Sequence, residues 1–266
     1  MLRSLYSKTL RDERRGLMWW SIGLVAMAAW TLGWYRSFIG KIPDMSKFLD
    51  RAPAALKAFF GGSFDFTTPV GYLRTELFSF MAPLLLAIFA VGKGASAIAG
   101  EEAAGSLDVL LAAPISRRRV LIEKLAAVAS STILLSVGLA AALVVGIALT
   151  GLKVDLLNAV VASLMAGLFA VVLGTLALAV GAATGRKGPG LGVAAAVGVG
   201  GYLLYGIAGS VDALRIWRWV FPFTYYAQAD VLKNGPNILH AGVLVLGALV
   251  TAAAGVVLFE RRDLKT

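Results

Sequence analysis

Few residues in this sequence are of the types that catalyse reactions or hold metal ions. The 266-residue chain has no cysteine and a single histidine, His240. Disulfides, thiolate metal sites, histidine metal clusters and serine–histidine triads are therefore excluded on this chain. Neither Gly40 with Lys41 nor Gly92 with Lys93 is followed by Ser or Thr, so a nucleotide-binding P-loop is absent as well. The sequence predicts no enzymatic activity and no cofactor of its own.

The segment 100–124 is the most informative stretch of polar sequence. It opens with two glutamates, and Ser106 is a candidate N-cap for a short helix with a leucine-lined face. Pro114 then ends that helix, and Ser116 can cap a second one that carries the basic run starting at Arg117. An exposed leucine face needs a surface to cover it, so the short helix either folds back on its own chain or docks on a partner. The residues of interest are Glu101, Glu102, Ser106, Leu107, Asp108, Leu110, Leu111 and Arg117.

The rest of the chain is dominated by long apolar runs. Hydrophobic residues make up 59% of the sequence, more than a water-soluble domain carries. About 20 apolar helical residues cross the ~30 Å hydrocarbon core of a bilayer. Six runs satisfy this length: 17–38, 77–99, 125–150, 157–184, 190–209 and 239–259. The sequence predicts an all-α polytopic membrane protein in which 1–266 form one transmembrane domain.

Basic residues orient this domain. The net charge of +10 comes from residues that flank apolar spans, which favours an anionic membrane face over nucleic acid. They are densest in the N-terminal segment, in 100–124, in the turn at Arg186 and in the C-terminal tail, so both termini are predicted to be cytoplasmic. Lys93 lies late in the second span, where its side chain is expected to snorkel to the cytoplasmic headgroups.

The N-terminal segment 1–16 is predicted to form a separate amphipathic helix in the cytoplasmic interface. At 100° per residue, its apolar and basic residues fall on opposite sides, so the apolar side would face lipid. The alternative is a charged flank that only sets topology. The defining residues are Leu2, Leu5, Tyr6 and Leu10 on one side, and Arg11 and Arg14 on the other.

The segment 210–237 is rich in aromatic residues. Such a density is typical of a membrane–water interface, and Pro222 should divide the segment into two short, half-inserted pieces. A gate on the outer side of a transport path is the other interpretation, and both can hold. The aromatic group, with its proline, is Trp217, Trp219, Phe221, Pro222, Phe223, Tyr225 and Tyr226.

Two motifs give the chain a resemblance to the permease subunits of ABC-2 type ABC transporters. The loop from Glu101 to Arg117 is similar to the family's E-E-x-x-G-T-L-[DE]-x-L-L-x-x-P-[IV]-S-R run between the second and third spans, with Ser106 at the usual threonine position. The stretch that starts at Phe221 resembles the family's S-P-[FY]-x-Y…G before the last span, with Phe221 at a common serine position.

The resemblance implies that 100–124 is a coupling loop that contacts an ATPase on another chain. In the family, the short helix is a coupling helix seated in the ATPase, with the N-terminal helix beside it. Glu101, Glu102, Asp108 and Arg117 would then make polar contacts with the ATPase, with Leu107, Leu110 and Leu111 as apolar anchors. The ATPase would hold ATP and Mg²⁺, a second permease chain would complete the path, and the transporter would be an exporter.

Two other function classes are consistent with a polytopic chain. An ion-coupled secondary transporter or channel carries charged or unwound sites near the bilayer midplane, for which Lys93 is the one candidate. A membrane-embedded enzyme needs paired catalytic groups at membrane depth, which the spans lack. An interior between the spans that is lined by small residues and free of charge would suit a hydrophobic or amphipathic cargo.

Overall fold

The computed structural model describes residues 4–37, 66–107, 115–209 and 211–262. These residues form helices and turns, with no strand among them. In chain order the helices are α1 Leu5–Ser37, α2 Pro69–Ala97, α3 Ala99–Ala103, α4 Arg117–Thr150, α5 Leu156–Thr184, α6 Lys187–Ile207, α7 Pro222–Ala229, α8 Val231–Asn234 and α9 Ile238–Arg261. Short 3₁₀ turns, Asp212–Leu214 and Trp217–Val220, precede α7.

Six of these helices are long and apolar enough to cross a membrane: α1, α2, α4, α5, α6 and α9. The predicted all-helical fold with six spans is therefore confirmed within the described residues. Inside lipid, a helix pairs its backbone hydrogen-bonding groups within the same segment. The length of an apolar run is therefore enough to predict a span.

Several helices extend beyond the apolar runs that predicted them. The N-terminal segment does not form a separate element, because α1 continues without a break from Leu5 to Ser37. The sequence from Leu5 to Ser37 contains no proline, and its three glycines, Gly16, Gly23 and Gly33, weaken a helix without breaking it. In the same way α4 begins at Arg117 instead of residue 125, since polar residues that leave the bilayer can remain helical.

Local capping explains where these helices begin and end. The Ser116 hydroxyl accepts a hydrogen bond from the Arg119 amide (3.3 Å), as predicted for the start of α4. The Asp155 carboxylate accepts one from the Asn158 amide (2.8 Å) at the start of α5. Each of these caps satisfies an amide that has no partner within its helix.

The α5 helix is the centre of the bundle and packs against α2, α4, α6 and α9, whereas α1 packs mainly against α4. Glycines bring α2 and α5 into backbone contact. A Cβ atom added at Gly94 would lie only 2.1 Å from the carbonyl oxygen of Gly174. Small residues at such crossings let membrane helices approach closely.

Within α2, residues Leu73–Met81 form a π-helix. Its hydrogen bonds span one residue more than those of an α-helix, so the turns are wider and some carbonyls are left for other donors. The Ser79 hydroxyl donates to the Arg74 carbonyl oxygen (2.9 Å) inside this segment. The π-helix places the start of α2 against the aromatic segment described below.

Candidate functional site

The segment between α2 and α4 is fixed to the bundle by ion pairs. Glu101, in α3, pairs with Lys124 of α4, whose side chain is only 7% exposed. A lysine that is this buried depends on a carboxylate partner. The family resemblance implies that Glu101 contacts the ATPase, whereas its Oε1 atom is engaged with Lys124 within the chain.

The second glutamate takes part in a junction of four elements. Glu102 accepts hydrogen bonds from both terminal nitrogens of Arg262, one of them Nη1 to Oε2 at 2.9 Å. Arg262 Nη1 also donates to the carbonyl oxygen of Ala182 near the end of α5 (3.0 Å). Arg117 Nη1 donates to the Arg262 carbonyl oxygen (2.8 Å), which ties the start of α4 to the same point. We call these three side chains, Glu102, Arg117 and Arg262, the arginine junction.

A glycine gives the arginine junction its space. Gly185 follows α5 with a left-handed φ of +70°. A Cβ atom added there would lie 2.1 Å from Nη2 of Arg262. Gly185 is thus favoured both by the backbone conformation and by the close approach of the guanidinium group.

Two expectations for this segment need correction. Leu107 is 0% exposed and packs in a cluster with Ile98, Leu121 and Phe259, so it is a core residue and has no surface for a partner. Ser106 is itself helical, whereas an N-cap lies outside its helix, and its hydroxyl donates to the Glu101 carbonyl oxygen (3.1 Å). The predicted contacts Asp108, Leu110 and Leu111 lie outside the described residues.

The N-terminal part of α1 packs on protein where lipid contact was predicted. The backbone amide of Tyr6 donates to Glu123 Oε2 of α4 (2.9 Å), and its hydroxyl donates to Ser130 Oγ (3.2 Å). Leu5 packs on the same cluster as Leu107, and Leu10 is half-buried, while Arg11 and Arg14 are exposed. The apolar side of this segment therefore faces the bundle; Leu2 lies outside the described residues.

Lys93 has an ion-pair partner. Its ammonium lies 3.3 Å from Oε1 of Glu13, a side chain that is 13% exposed, and 5.9 Å from the centroid of the Phe89 ring. The sequence predicts snorkelling of Lys93 but does not single out Glu13, which lies in a stretch dominated by arginines. The available signal was an acidic pair, Asp12 and Glu13, inside an otherwise basic segment.

At the other end of the bundle, the aromatic segment divides into an inward and an outward group. Phe223 and Tyr226 of α7 are buried, and each ring centroid lies 5.6 Å from that of Phe169 in α5. The Tyr226 hydroxyl donates to the carbonyl oxygen of Phe78 in the π-helix (2.5 Å), and burial raises the pKa of this phenol. Pro222 begins α7, so the predicted division at this residue is found.

The outward group is accessible. Trp217 is 62% exposed and Trp219 is 39% exposed, whereas Phe221 and Tyr225 are half-buried. The Tyr225 hydroxyl donates to the Trp219 carbonyl oxygen (2.9 Å). The exposed tryptophans form a surface typical of the bilayer interface. The buried aromatic rings beside them fill the space between helices.

An ion pair that the sequence did not reveal braces this end. Arg74 Nε lies 3.1 Å from Asp230 Oδ1, which joins the π-helix to the α7–α8 turn. Asp230 has a left-handed φ of +40°, a conformation that aspartate tolerates better than most residues.

A mostly apolar groove of about 280 Å³ runs between α2, α5 and α6, with Leu84, Ile88 and Val199 among its walls.

The described residues contain no group of three or more His, Asp or Glu side chains that could hold a metal ion.

A family model described as ABC-2 family transporter protein matches residues 3–264. The chain belongs to the ABC-2 family of transporter proteins. Membership implies a membrane transport component that associates with an ABC ATPase and has no ATPase domain of its own. A search of curated proteins found no match.

Proposed function

We propose that this ABC-2 subunit is the permease of an ATP-driven exporter in the cell membrane, with both termini in the cytoplasm. Two such subunits, identical or similar, would form the translocation path between them. The ATP and Mg²⁺ would be held by the separate ATPase, and this chain would bind no cofactor. The groove between α2, α5 and α6 favours a hydrophobic or amphipathic cargo.

The observation that carries the proposal is the bracing of the loop between α2 and α4. Glu101, Glu102 and Arg117 join this loop to α4, to α5 and to the end of α9. A force applied to the loop would therefore reach three spans through charged contacts and a buried leucine. This is the connection that a coupling loop needs in order to transmit an ATPase movement to the membrane.

The bracing also changes which residues we assign to the ATPase contact. Glu101, Glu102, Leu107 and Arg117 hold the loop in place, so they act on coupling by positioning it. Residues 103–106 are exposed, and Ser106 is therefore retained as a contact. Asp108, Leu110 and Leu111 remain proposed contacts on the strength of the family motif.

The placement of charged residues supports an ion-coupled mechanism less well than an ATP-driven one. Lys93, on which that alternative depended, is paired with Glu13 near the end of the bundle that carries the chain termini. An ion-coupled carrier needs a charged or unwound site near mid-depth.

Co-purification tests the proposed coupling surface directly. The double substitution Leu110→Asp and Leu111→Asp should abolish recovery of an ABC ATPase with the tagged subunit, because two carboxylates would be buried in the apolar contact. A matched control is Leu156→Asp with Leu157→Asp, an exposed leucine pair at the opposite end of the bundle. Normal ATPase recovery with the first variant, or equal loss with both, would contradict the assignment.

Site-specific photo-crosslinking identifies the partner by direct capture. A photoreactive residue at position 106 should capture a protein that contains a nucleotide-binding P-loop, while the same residue at position 217 should not. Capture of the ATPase from position 217 would contradict the proposed orientation of the subunit, because it would put the aromatic end of the bundle on the cytoplasmic side.

A further inference from the structure

A polar cleft lies between the N-terminal part of α1, the end of α2, α3 and the start of α4. It has a volume of about 220 Å³. Its walls carry three ammonium groups and three carboxylates: Lys8, Lys93 and Lys124, and Asp12, Glu13 and Glu101. The charges balance, so the cleft favours neither a simple anion nor a simple cation.

Two of the carboxylates present free acceptor atoms. Glu13 and Glu101 each use Oε1 in an ion pair, with Lys93 and Lys124 respectively. The Oε2 atom of each is buried and has no hydrogen-bond partner among the described residues. A buried carboxylate oxygen without a donor is unfavourable, so these atoms need a group with N–H or O–H bonds.

The cleft lies beside the residues at which the apolar runs of α1 and α4 begin, which is where lipid headgroups are expected. Glu13 precedes the apolar run that starts at Leu17 in α1, and Lys124 directly precedes the run that starts at Leu125 in α4. The leaflet beside it is the one nearest the chain termini. A ligand there would have its charged part in the cleft and its apolar part in the bilayer.

We propose that the cleft binds the headgroup of phosphatidylethanolamine. The primary ammonium would donate to Oε2 of Glu13 and of Glu101, and the phosphate would contact the exposed Lys8, which forms no ion pair with a described residue. Phosphatidylcholine has the same charges but no N–H bond, and phosphatidylglycerol has no cation. The site would therefore select by hydrogen-bond donation and not by charge alone.

A methylation series on the unaltered protein tests this selection. The purified chain is exchanged into nanodiscs that contain equal amounts of phosphatidylethanolamine, its mono- and dimethyl derivatives, or phosphatidylcholine, and retained lipid is counted by native mass spectrometry. Retention should fall as N–H bonds are removed, by about tenfold for each charge-assisted hydrogen bond lost. Equal retention of phosphatidylcholine, or preferred retention of phosphatidylglycerol, would overturn the proposal.

Substitutions locate the site. Glu13→Gln should reduce the preference for phosphatidylethanolamine over phosphatidylcholine towards unity, and Lys8→Gln should lower retention of both lipids. Glu260→Gln, an exposed carboxylate on α9 at the same end of the bundle, should leave the preference unchanged. A preference that is unchanged by Glu13→Gln, in protein that remains monodisperse, would show that the lipid binds elsewhere.

Discussion

The arginine junction makes a quantitative prediction. Substituting Arg262 with Ala removes both hydrogen bonds to Glu102 and the one to the Ala182 carbonyl oxygen, and leaves a partly buried carboxylate without its partner. The two side chains are 16% and 24% exposed, so the pair is more shielded from solvent than a surface ion pair. We expect the local stability of the α3 region to fall by about 2 kcal/mol.

Hydrogen exchange measures this loss where it occurs. In α3 and the turn that follows it, the amides of Glu102, Ala104 and Gly105 donate to backbone carbonyls, and their exchange reports local opening. A loss of about 2 kcal/mol corresponds to roughly 30-fold faster exchange. Mass spectrometry of the detergent-solubilised chain resolves this difference in peptides that cover 98–107.

The neighbouring Arg261 supplies the control, because it is exposed and has the same side chain. Arg261→Ala should leave exchange in 98–107 unchanged, and Arg262→Lys should give an intermediate rate because lysine keeps the charge without the two-pronged geometry. Combining Glu102→Gln with Arg262→Ala should cost less than the two single effects added together. Equal exchange in the Arg261 and Arg262 variants would refute the reasoning.

Three further substitutions test the packing and the helix ends. Gly94→Ala should lower the melting temperature, because the added methyl group meets the backbone at Gly174 and such overpacking costs about 1–3 kcal/mol; Gly92→Ala, whose Cβ has open space, should not. Tyr226→Phe should cost about 1 kcal/mol in thermal unfolding through loss of its buried hydrogen bond to α2; an unchanged melting temperature would contradict this. Ser116→Ala should also cost about 1 kcal/mol, seen as faster exchange in the first turn of α4 and nowhere else.

Hydropathy predicted the number and approximate position of the spans, but not the ends of the helices. The apolar run that starts at Leu17 marks where α1 enters the bilayer, while the helix itself begins at Leu5. Likewise α4 starts at Arg117, directly after the Ser116 cap, and not at Leu125. Hydrophobicity reports contact with lipid, whereas helix ends depend on caps, glycine and proline.

The loop between α2 and α4 could be recognised from its sequence, but the roles of its residues could not. Leu107, Leu110 and Leu111 fall on one side of the helix that the sequence predicts, and periodicity cannot tell which leucine turns towards the bundle. The pairing of Glu102 with Arg262 joins residues far apart in the chain, and no local pattern indicates such a contact. The sequence does not indicate the role of Glu13 for the same reason, since its partner Lys93 belongs to another helix.

The glycine crossing of α2 and α5 determines how movement can pass through the bundle. Helices that normally slide do so on an intervening layer of flexible side chains, and at Gly94 and Gly174 that layer is missing. We therefore expect α2 and α5 to move together and not to slide past each other at this crossing. Since α6 packs against both α5 and α2, we expect a displacement of the loop that follows α2 to reach α6 through this pair of helices.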